Sequence, residues 1–441
     1  MPRRLLVDVT PVRDSREFRL LYAGQVVSLI GRQLTVVAVP YQVFLLTGSS
    51  LIVGLVSLAQ FLPLLVGSLI GGAIADAVDR RRLMLAMQGL LAATSVGLAI
   101  NSALPAPRLW PLFVFSAASA GFSAVDSPTR SAVVPGLVAR WQLPAAYALN
   151  QLGFQLAHVV GPALAGLVIA RLGFAVTYWL DVASFGAAIA ALLAMRPLLP
   201  QGGVTRAGLK SVAEGLRFLR GRRVIQSTFY IDLNAMIFGM PRALFPELGQ
   251  TVFGGGATTV GLLFASPAVG ALVASLTSGW VTHVHRQGRA VLIAVVVWGG
   301  AIASFAIVPW LPAGLALLAV AGAADSISAV FRSTILQLRV PDRLRGRLSA
   351  VHIAVVTGGP RLGDLEAGAV AAVTSARFAV LSGGLACMAG VGIIAALVPE
   401  LARATASDEE IEEIERRTEE IAASPRLAGA HGVEGVPQGK P

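Results

Sequence analysis

Again and again the chain runs for about twenty residues with almost no charge, breaks at a proline, glycine or arginine, and runs on. Residues 51–75, 83–104 and 290–308 are examples, and a helix of that length crosses the hydrocarbon core of a bilayer. A water-soluble core has no room for so many such segments. Of the 441 residues 55% are hydrophobic and 13% charged, where a soluble domain carries about 25% charged residues. The sequence therefore predicts an all-α membrane protein whose largest partner is the lipid bilayer.

Apolar runs bounded by charges, prolines or turn residues predict twelve transmembrane helices, near 18–46, 51–76, 82–104, 110–134, 146–171, 174–196, 223–247, 258–282, 289–309, 313–338, 349–374 and 377–398. Arginines sort their connections into two kinds. Arg3, Arg4, Arg13, Arg16 and Arg19 precede the first helix, Arg80 to Arg82 follow the second and Arg140 follows the fourth. Arg217, Arg220, Arg222 and Arg223 precede the seventh, Arg286 and Arg289 follow the eighth, and Arg339, Arg343, Arg345 and Arg347 follow the tenth. All of these fall on one side, while the opposite loops carry isolated charges such as Arg108, Arg171 and Arg377. An arginine excess marks the cytoplasmic face, so both termini are expected in the cytoplasm.

A weak internal repeat divides the chain in two. TRSAVVP from Thr129 in helix four and FRSTILQ from Phe331 in helix ten share an Arg-Ser pair, and GPALAG from Gly161 in helix five corresponds to GPRLGDLEAG from Gly359 in helix eleven. Paired halves with glycine-proline interruptions in matching helices are a feature of transporters. The expected organisation is a cytoplasmic N-terminus (1–17), a six-helix bundle (18–196), a polar cytoplasmic linker (197–222), a second six-helix bundle (223–398), and a cytoplasmic, largely disordered tail (399–441). LKSVAEGLRFLRGRR in the linker can lie as an amphipathic helix on an anionic membrane surface. In the tail, Ile411, Ile414 and Ile421 share one stripe of a short solvated helix.

Other classes fall away on what is missing. The formal charge of +11 sits in short clusters between apolar spans, without an aromatic-interleaved basic domain, so nucleic acid is not an expected partner. The single cysteine, Cys387, excludes an internal disulfide and a cysteine-rich metal site. The N-terminus shows no apolar core with a cleavage site. No Walker GxxxxGK[ST], HExxH or GxSxG sequence occurs, and the HVH at His283 to His285 has no third ligand nearby. Neither a cofactor nor a metal nor an ATP site is expected, and an intramembrane enzyme is the weaker alternative.

Charges inside the spans are the candidates for work, because each costs several kcal/mol unless paired or hydrated. They are Arg32 in helix one, His158 in helix five, Asp181 in helix six, Asp232 in helix seven, Asp325 in helix ten, and Arg361, Asp364 and Glu366 in helix eleven. Arg361 and Asp364, three apart, share a face and can neutralise one another. That leaves Glu366 as the first choice for exchanging a proton, followed by Asp232 and Asp181, since burial can hold a carboxyl's proton near neutral pH. His158 reads either as a hydrogen-bonded packing residue or as a relay. Small residues crowd helices two, four, five, eight and eleven, where backbones can approach closely.

The stretch GGAIADAVDRRRLML, Gly71 to Leu85, resembles the signature between helices two and three of the major facilitator superfamily: Gly72, Asp76, Arg80 and Arg81 match it, with Asp79 where a glycine is usual. FRLLYAGQVVSLIG near the start, DSPTRSAVVPGLV from Asp126, FGMPRALFPEL from Phe238 and VVTGGPRLGDLEAG from Val355 are similar to the branch of enterobactin exporters and drug:proton antiporters. The resemblance implies twelve helices in two pseudo-symmetric six-helix bundles in a bacterial plasma membrane. It also implies alternating access, and export of a siderophore, drug or other small amphipathic molecule in exchange for protons; an importer or uniporter of the same fold is the alternative. By the same resemblance Gly72 lets helix two approach helix eleven, Asp76 favours a helix N-terminus, and Arg80 and Arg81 bridge facing groups at a cytoplasmic gate. Gly161, Pro162 and Gly166 are similar to the helix-five antiporter motif, although Ala148 and Ala157 stand where that pattern prefers glycine. The superfamily's helix-four arginine falls on Ala117, so coupling through that residue is absent.

Overall fold

The computed structural model describes residues 8–196, 217, 219, 221–340 and 342–402. Most of the expected linker and the tail beyond Ala402, with Ile411, Ile414 and Ile421, lie outside the described residues. Among the described residues, eight helical spans are long and apolar enough to cross a membrane. One of these, Arg140–Leu193, changes direction at Gly173, whose φ of 80° is open to glycine alone at little cost. Counting that bend as two crossings and adding three spans with more charge or an internal break, the described residues hold twelve.

They are α1 (Arg16–Thr47), α2 (Ser50–Ala59 continuing as Phe61–Ala77), α3 (Arg80–Ala103) and α4 (Trp110–Leu137). The bent span Leu143–Leu193 supplies α5 and α6, and α7 is Arg223–Phe238 extended by the turn Arg242–Leu244 and Phe245–Thr251. Then follow α8 (Ala257–Leu276), α9 (Gln287–Ile307), α10 (Leu311–Arg339), α11 (Asp342–Val373) and α12 (Ala376–Leu397). Caps explain several ends. The Ser15 hydroxyl accepts the Phe18 N–H at the start of α1, Gly48 closes the same helix at φ 61°, and Ser375 accepts the Phe378 N–H at the start of α12. Helix seven departs from the continuous segment expected at 223–247. Pro241 supplies no N–H and drives its predecessor out of helical geometry, so α7 breaks between Gly239 and Pro241.

The outside of this bundle is oil-facing. Ile293 is 64% exposed, Leu276 76% and Val373 84%, a surface that water would not tolerate over so many helices. Trp110 and Trp310 at the starts of α4 and α10, and Trp141 and Trp280 toward the opposite side, are exposed near helix ends, where indoles sit at a membrane interface. Inside, the second half has its own core around Ile231, Val295, Trp298, Phe305 and Phe331. A second core joins the halves: Val37, Val53, Leu98 and Tyr178 pack continuously with Ala243, Ala257 and Val260. It lies toward the short-loop side, away from the arginine-rich loops.

Glycines set how closely the helices approach there. A Cβ at Gly54 of α2 would lie 2.5 Å from the Asp364 carbonyl oxygen of α11, and one at Gly368 would lie 2.6 Å from that of Ser50. On the other flank a Cβ at Gly261 of α8 would lie 2.5 Å from the Pro162 carbonyl oxygen of α5. Backbone-to-backbone contacts of this kind replace hydrophobic burial as the source of helix association in lipid.

Candidate functional site

The break in α7 exposes backbone in the middle of the molecule, and the second half uses it. The Ala243 N–H donates to an Asp364 carboxylate oxygen at 3.1 Å, and the Ser57 hydroxyl of α2 donates to the other at 2.5 Å. Asp364 thereby ties α11 both to α7 and to the opposite half. Its expected ion pair with Arg361 does not form. Arg361 donates instead to the side-chain amide oxygen of Gln60 in α2, 3.5 Å away, and its buried Nε has no hydrogen-bond partner. Two further bonds cross between the halves nearer the short loops: Ser50 donates to Glu247 at 2.5 Å, and Gln250 donates to the Tyr41 hydroxyl at 3.4 Å. Ser50 and Ser57 are seven residues apart and so stand on one stripe of α2.

Two more carboxylates of the second half gather around an arginine that sequence reasoning passed over. Arg332 of α10, 4% exposed, has one terminal nitrogen 2.9 Å from Asp232 of α7 and 3.7 Å from Asp325 of its own helix. Its other terminal nitrogen donates to Ser328 at 3.2 Å. His352 of α11 lies against Phe229 with ring centroids 6.2 Å apart and feels the charges of Asp232 and Arg332. The signal was in the repeat. Arg130 of α4 and Arg332 of α10 are the paired Arg-Ser positions, each seven residues from its helix end at Leu137 or Arg339. Arg130 finds its carboxylate within α4, pairing with Asp126 four residues earlier, and Asp126 also accepts from Gln88 of α3 at 3.1 Å.

The remaining candidates divide. Asp181 is enclosed by hydroxyls, from Thr35 at 2.6 Å, Ser95 at 2.7 Å and Ser184 at 3.4 Å, which knit α1, α3 and α6 together. Glu366 makes no hydrogen bond or ion pair among the described residues and shares the outward stripe of α11 with exposed Leu362 and Val373. His158 shares its Nδ1 hydrogen with the Phe154 carbonyl at 2.9 Å, one turn back in α5. Arg32 of α1 and Arg242, at the break of α7, have neither hydrogen bond nor ion pair among the described residues. Gly161 seats α5 on Gln33 of α1, and Gly166 with the Pro162 carbonyl meets Gly261 of α8, so the expected helix-five motif lies at two contacts.

At the arginine-rich end, Arg80 donates to the Ala132 carbonyl at 3.0 Å, and Arg81 donates to those of Leu192 and Leu193 at 2.7 and 2.8 Å. These acceptors belong to α4 and α6 of the same half. Asp79 accepts the Arg81 and Arg82 N–H groups and caps α3, a physical reason for an aspartate in a place where glycine is usual. The surroundings of Gly72 and the side chain of Asp76 lie outside the described residues. The arginine-side segment of α2 packs chiefly on α4, Gly67 against Gly121 and Gly71 against Val125.

Two half-bundles closed over interior charges have the architecture of a transporter, and the family profile of transmembrane secretion effectors matches residues 8–422. The chain belongs to that family. As a member of this branch of the major facilitator superfamily it is a multi-pass membrane efflux transporter and not an enzyme. It is 28% identical to the enterobactin exporter EntS of Shigella boydii serotype 4 (strain Sb227) over 368 residues, 83% of this chain and 88% of that one. To the enterobactin exporter EntS of Citrobacter koseri it is 29% identical over the same shares. Among solved structures it is similar to the nucleoside transporter NupG, with TM-score 0.71, 12% identity and 86% and 99% of the two chains covered. It is also similar to a bacterial homologue of the human lysosomal transporter Spinster in an inward-facing and unoccupied conformation, with TM-score 0.66, 15% identity and 88% and 96% covered. At such identities these structures establish the fold.

Proposed function

We propose that this transporter exports a small amphipathic molecule of the siderophore or drug class by alternating access, in exchange for protons, with both termini on the cytoplasmic side of a bacterial plasma membrane. The observation that carries this reading is the interface between the halves. Ser50, Ser57 and Tyr41 meet Glu247, Asp364 and Gln250 over a shared apolar core on the short-loop side, while at the opposite end Arg81 donates to carbonyls of its own half. A transporter sealed on one face and loading from the cytoplasm fits this arrangement, and the likeness to enterobactin exporters supports the direction and the substrate class.

Proton exchange is assigned to Asp232 with Asp325 around Arg332 rather than to Glu366. One guanidinium between two carboxylates leaves a single negative charge in excess, so one proton neutralises the cluster without creating an unpaired buried charge. It also frees Arg332 from a bond between α7 and α10. Protonating Glu366 would release nothing, because no side chain among the described residues holds it.

Everted membrane vesicles test both halves of the proposal. Wild type should accumulate its substrate from a panel of siderophores and antibiotics when the lumen is acidified, and Asp232→Asn should bind that substrate with little change yet lose at least 90% of gradient-driven uptake, an order-of-magnitude expectation for a lost coupling group. Full gradient-driven uptake by the Asn variant would remove Asp232 from the coupling step; absence of uptake by wild type for the whole panel would remove export of this class.

A further inference from the structure

Among the described residues, the buried carboxylates Asp364, Asp181 and Asp126 have partners, and several of the interior cations do not. Asp364 is held by Ser57 and the Ala243 N–H, Asp181 by three hydroxyls, and Asp126 by Arg130 and Gln88. Arg32 and Arg242 have no hydrogen bond or ion pair among the described residues, Arg361 has only the long contact to Gln60, and its Nε is buried without a partner. Each of these guanidiniums offers five donors and no acceptor.

The three arginines stand at one level between the halves. The Tyr41–Gln250 contact fixes α1 against the extended end of α7. Arg32 lies nine residues back along α1 from Tyr41 and Arg242 eight residues back along α7 from Gln250, so both sit roughly 12–14 Å deeper on the arginine side of that contact. Arg242 adjoins Ala243, whose N–H reaches Asp364, and Arg361 is one turn from Asp364 on α11. The positive charges of Arg32 and Arg242 act on Arg361 and on His158, as expected of groups sharing one space. Arg242 is exposed and the other two are part-exposed, so part of each side chain stays open to a ligand.

We infer that Arg32, Arg242 and Arg361 form the binding site for an anionic group of the transported molecule, so that the substrate is an amphipathic organic anion carrying carboxylate, sulfonate, phosphate or ionised phenol oxygens. Asp364 offsets part of the charge at Arg361, and Asp126 and Asp181 part of that at Arg32, but each of these carboxylates is committed to other donors, so the repulsion left between the guanidiniums is what a charged substrate removes on entry. Oxygens arranged in a plane are matched by their forked donors. Apolar residues of the same interface then receive the body of the molecule. The inference rests on the export reading for the word substrate, and on the arginines alone for the anion.

The test uses full-length protein in lipid-free detergent, which leaves no lipid headgroup to supply the anion, with 4-(1-pyrenyl)butyrate and its uncharged methyl ester as paired probes. Fluorescence anisotropy should give at least tenfold tighter binding of the anion. Arg32→Gln and Arg242→Gln should each lower anion affinity about tenfold and leave the ester unchanged, in line with loss of one charge-assisted contact. Arg32→Lys and Arg242→Lys, which keep the charge and report on folding, should retain a preference for the anion. Equal binding of the two probes by wild type, or an unaltered preference in folded Gln variants, overturns the inference. Vesicle uptake separates the two readings: an anion that binds through these arginines and is never carried overturns export and keeps the site, whereas carriage of both probes without discrimination keeps export and overturns the site.

Discussion

The two halves carry the same Arg-Ser pair at the same depth and spend it differently. In the first half Arg130 closes on Asp126 within one helix, and Gln88 of α3 shares the carboxylate. In the second, Arg332 reaches across to Asp232 of α7 and also approaches Asp325. A pair within a helix survives any rearrangement of helices around it. A pair between helices survives only one arrangement, so its free energy is tied to conformation. A similar division runs along the interface, where the first half contributes hydroxyls and an amide (Tyr41, Ser50, Ser57, Gln60) and the second contributes the charged Glu247, Asp364 and Arg361 beside the Gln250 amide. A duplicated framework has thus become a scaffold half and a charged half.

The arginines offer the strongest way to break this comparison. Arg332→Ala leaves Asp232, itself 1% exposed, buried without its counter-ion and should lower stability by about 3–5 kcal/mol. Arg130→Ala leaves Asp126 with Gln88 and a local environment, and about 1–3 kcal/mol is expected. Thermal unfolding in detergent should therefore show a clearly larger fall for Arg332→Ala, with Asp232→Asn/Arg332→Gln recovering part of it. Equal falls for the two arginines would make the halves equivalent after all.

A middle-sized effect sharpens the interface. Ser57→Ala removes a donor to a buried carboxylate that spans the halves, a bond worth about 1.5–3 kcal/mol when the acceptor is charged. The population opened on the short-loop side should rise about tenfold or more, seen as a longer component in spin-label distances between Ala106→Cys and Pro309→Cys in a Cys387→Ala background. Ser50→Ala should act in the same direction. Unchanged distance distributions in both variants would show that the serines decorate the seal without holding it.

Asp79→Ala has the smallest expected effect. The α3 cap is absent from its counterpart in the second half, where Arg286 at the start of α9 makes no side-chain cap bond. Losing it should cost about 1 kcal/mol in unfolding, with transport per folded molecule unaltered. A transport defect of the folded variant would give Asp79 a part in gating that its capping geometry does not account for.

The architecture was readable because length and charge placement are properties of single segments: apolar runs mark spans and arginine clusters mark one side, with no knowledge of neighbours needed. The site was readable only in pieces. Arg130 and Arg332 stood out as a repeat, yet which carboxylate each would take depends on how α4, α7 and α10 cross. Arg361 and Asp364 have the spacing of a helical pair, but a hydroxyl on another helix and an N–H released by Pro241 compete for Asp364 and win. Glu366 drew attention as an unneutralised charge, and the helical phase of α11 turns it outward beside Leu362. Ser50 and Ser57 left no mark, since a serine in a lipid-crossing helix usually returns its hydrogen to its own backbone.

The contact between α5 and α8 behaves unlike the rest of the seam. At Gly166 and Gly261 the backbones touch directly, a Cβ at either position lying 2.5–2.7 Å from the opposing helix. Ala165, Ile169, Ala257 and Val260 pack beside the glycines, but among the described residues no hydrogen bond between side chains has to break for the two helices to shift here. The flank lined by Ser50 and Ser57 is a clasp that must be undone bond by bond. Under the proposed alternating access, opening is a swing about this glycine edge with its rate set at the opposite edge, and a methyl group added at Gly261 would jam the pivot while leaving every hydrogen bond of the clasp in place.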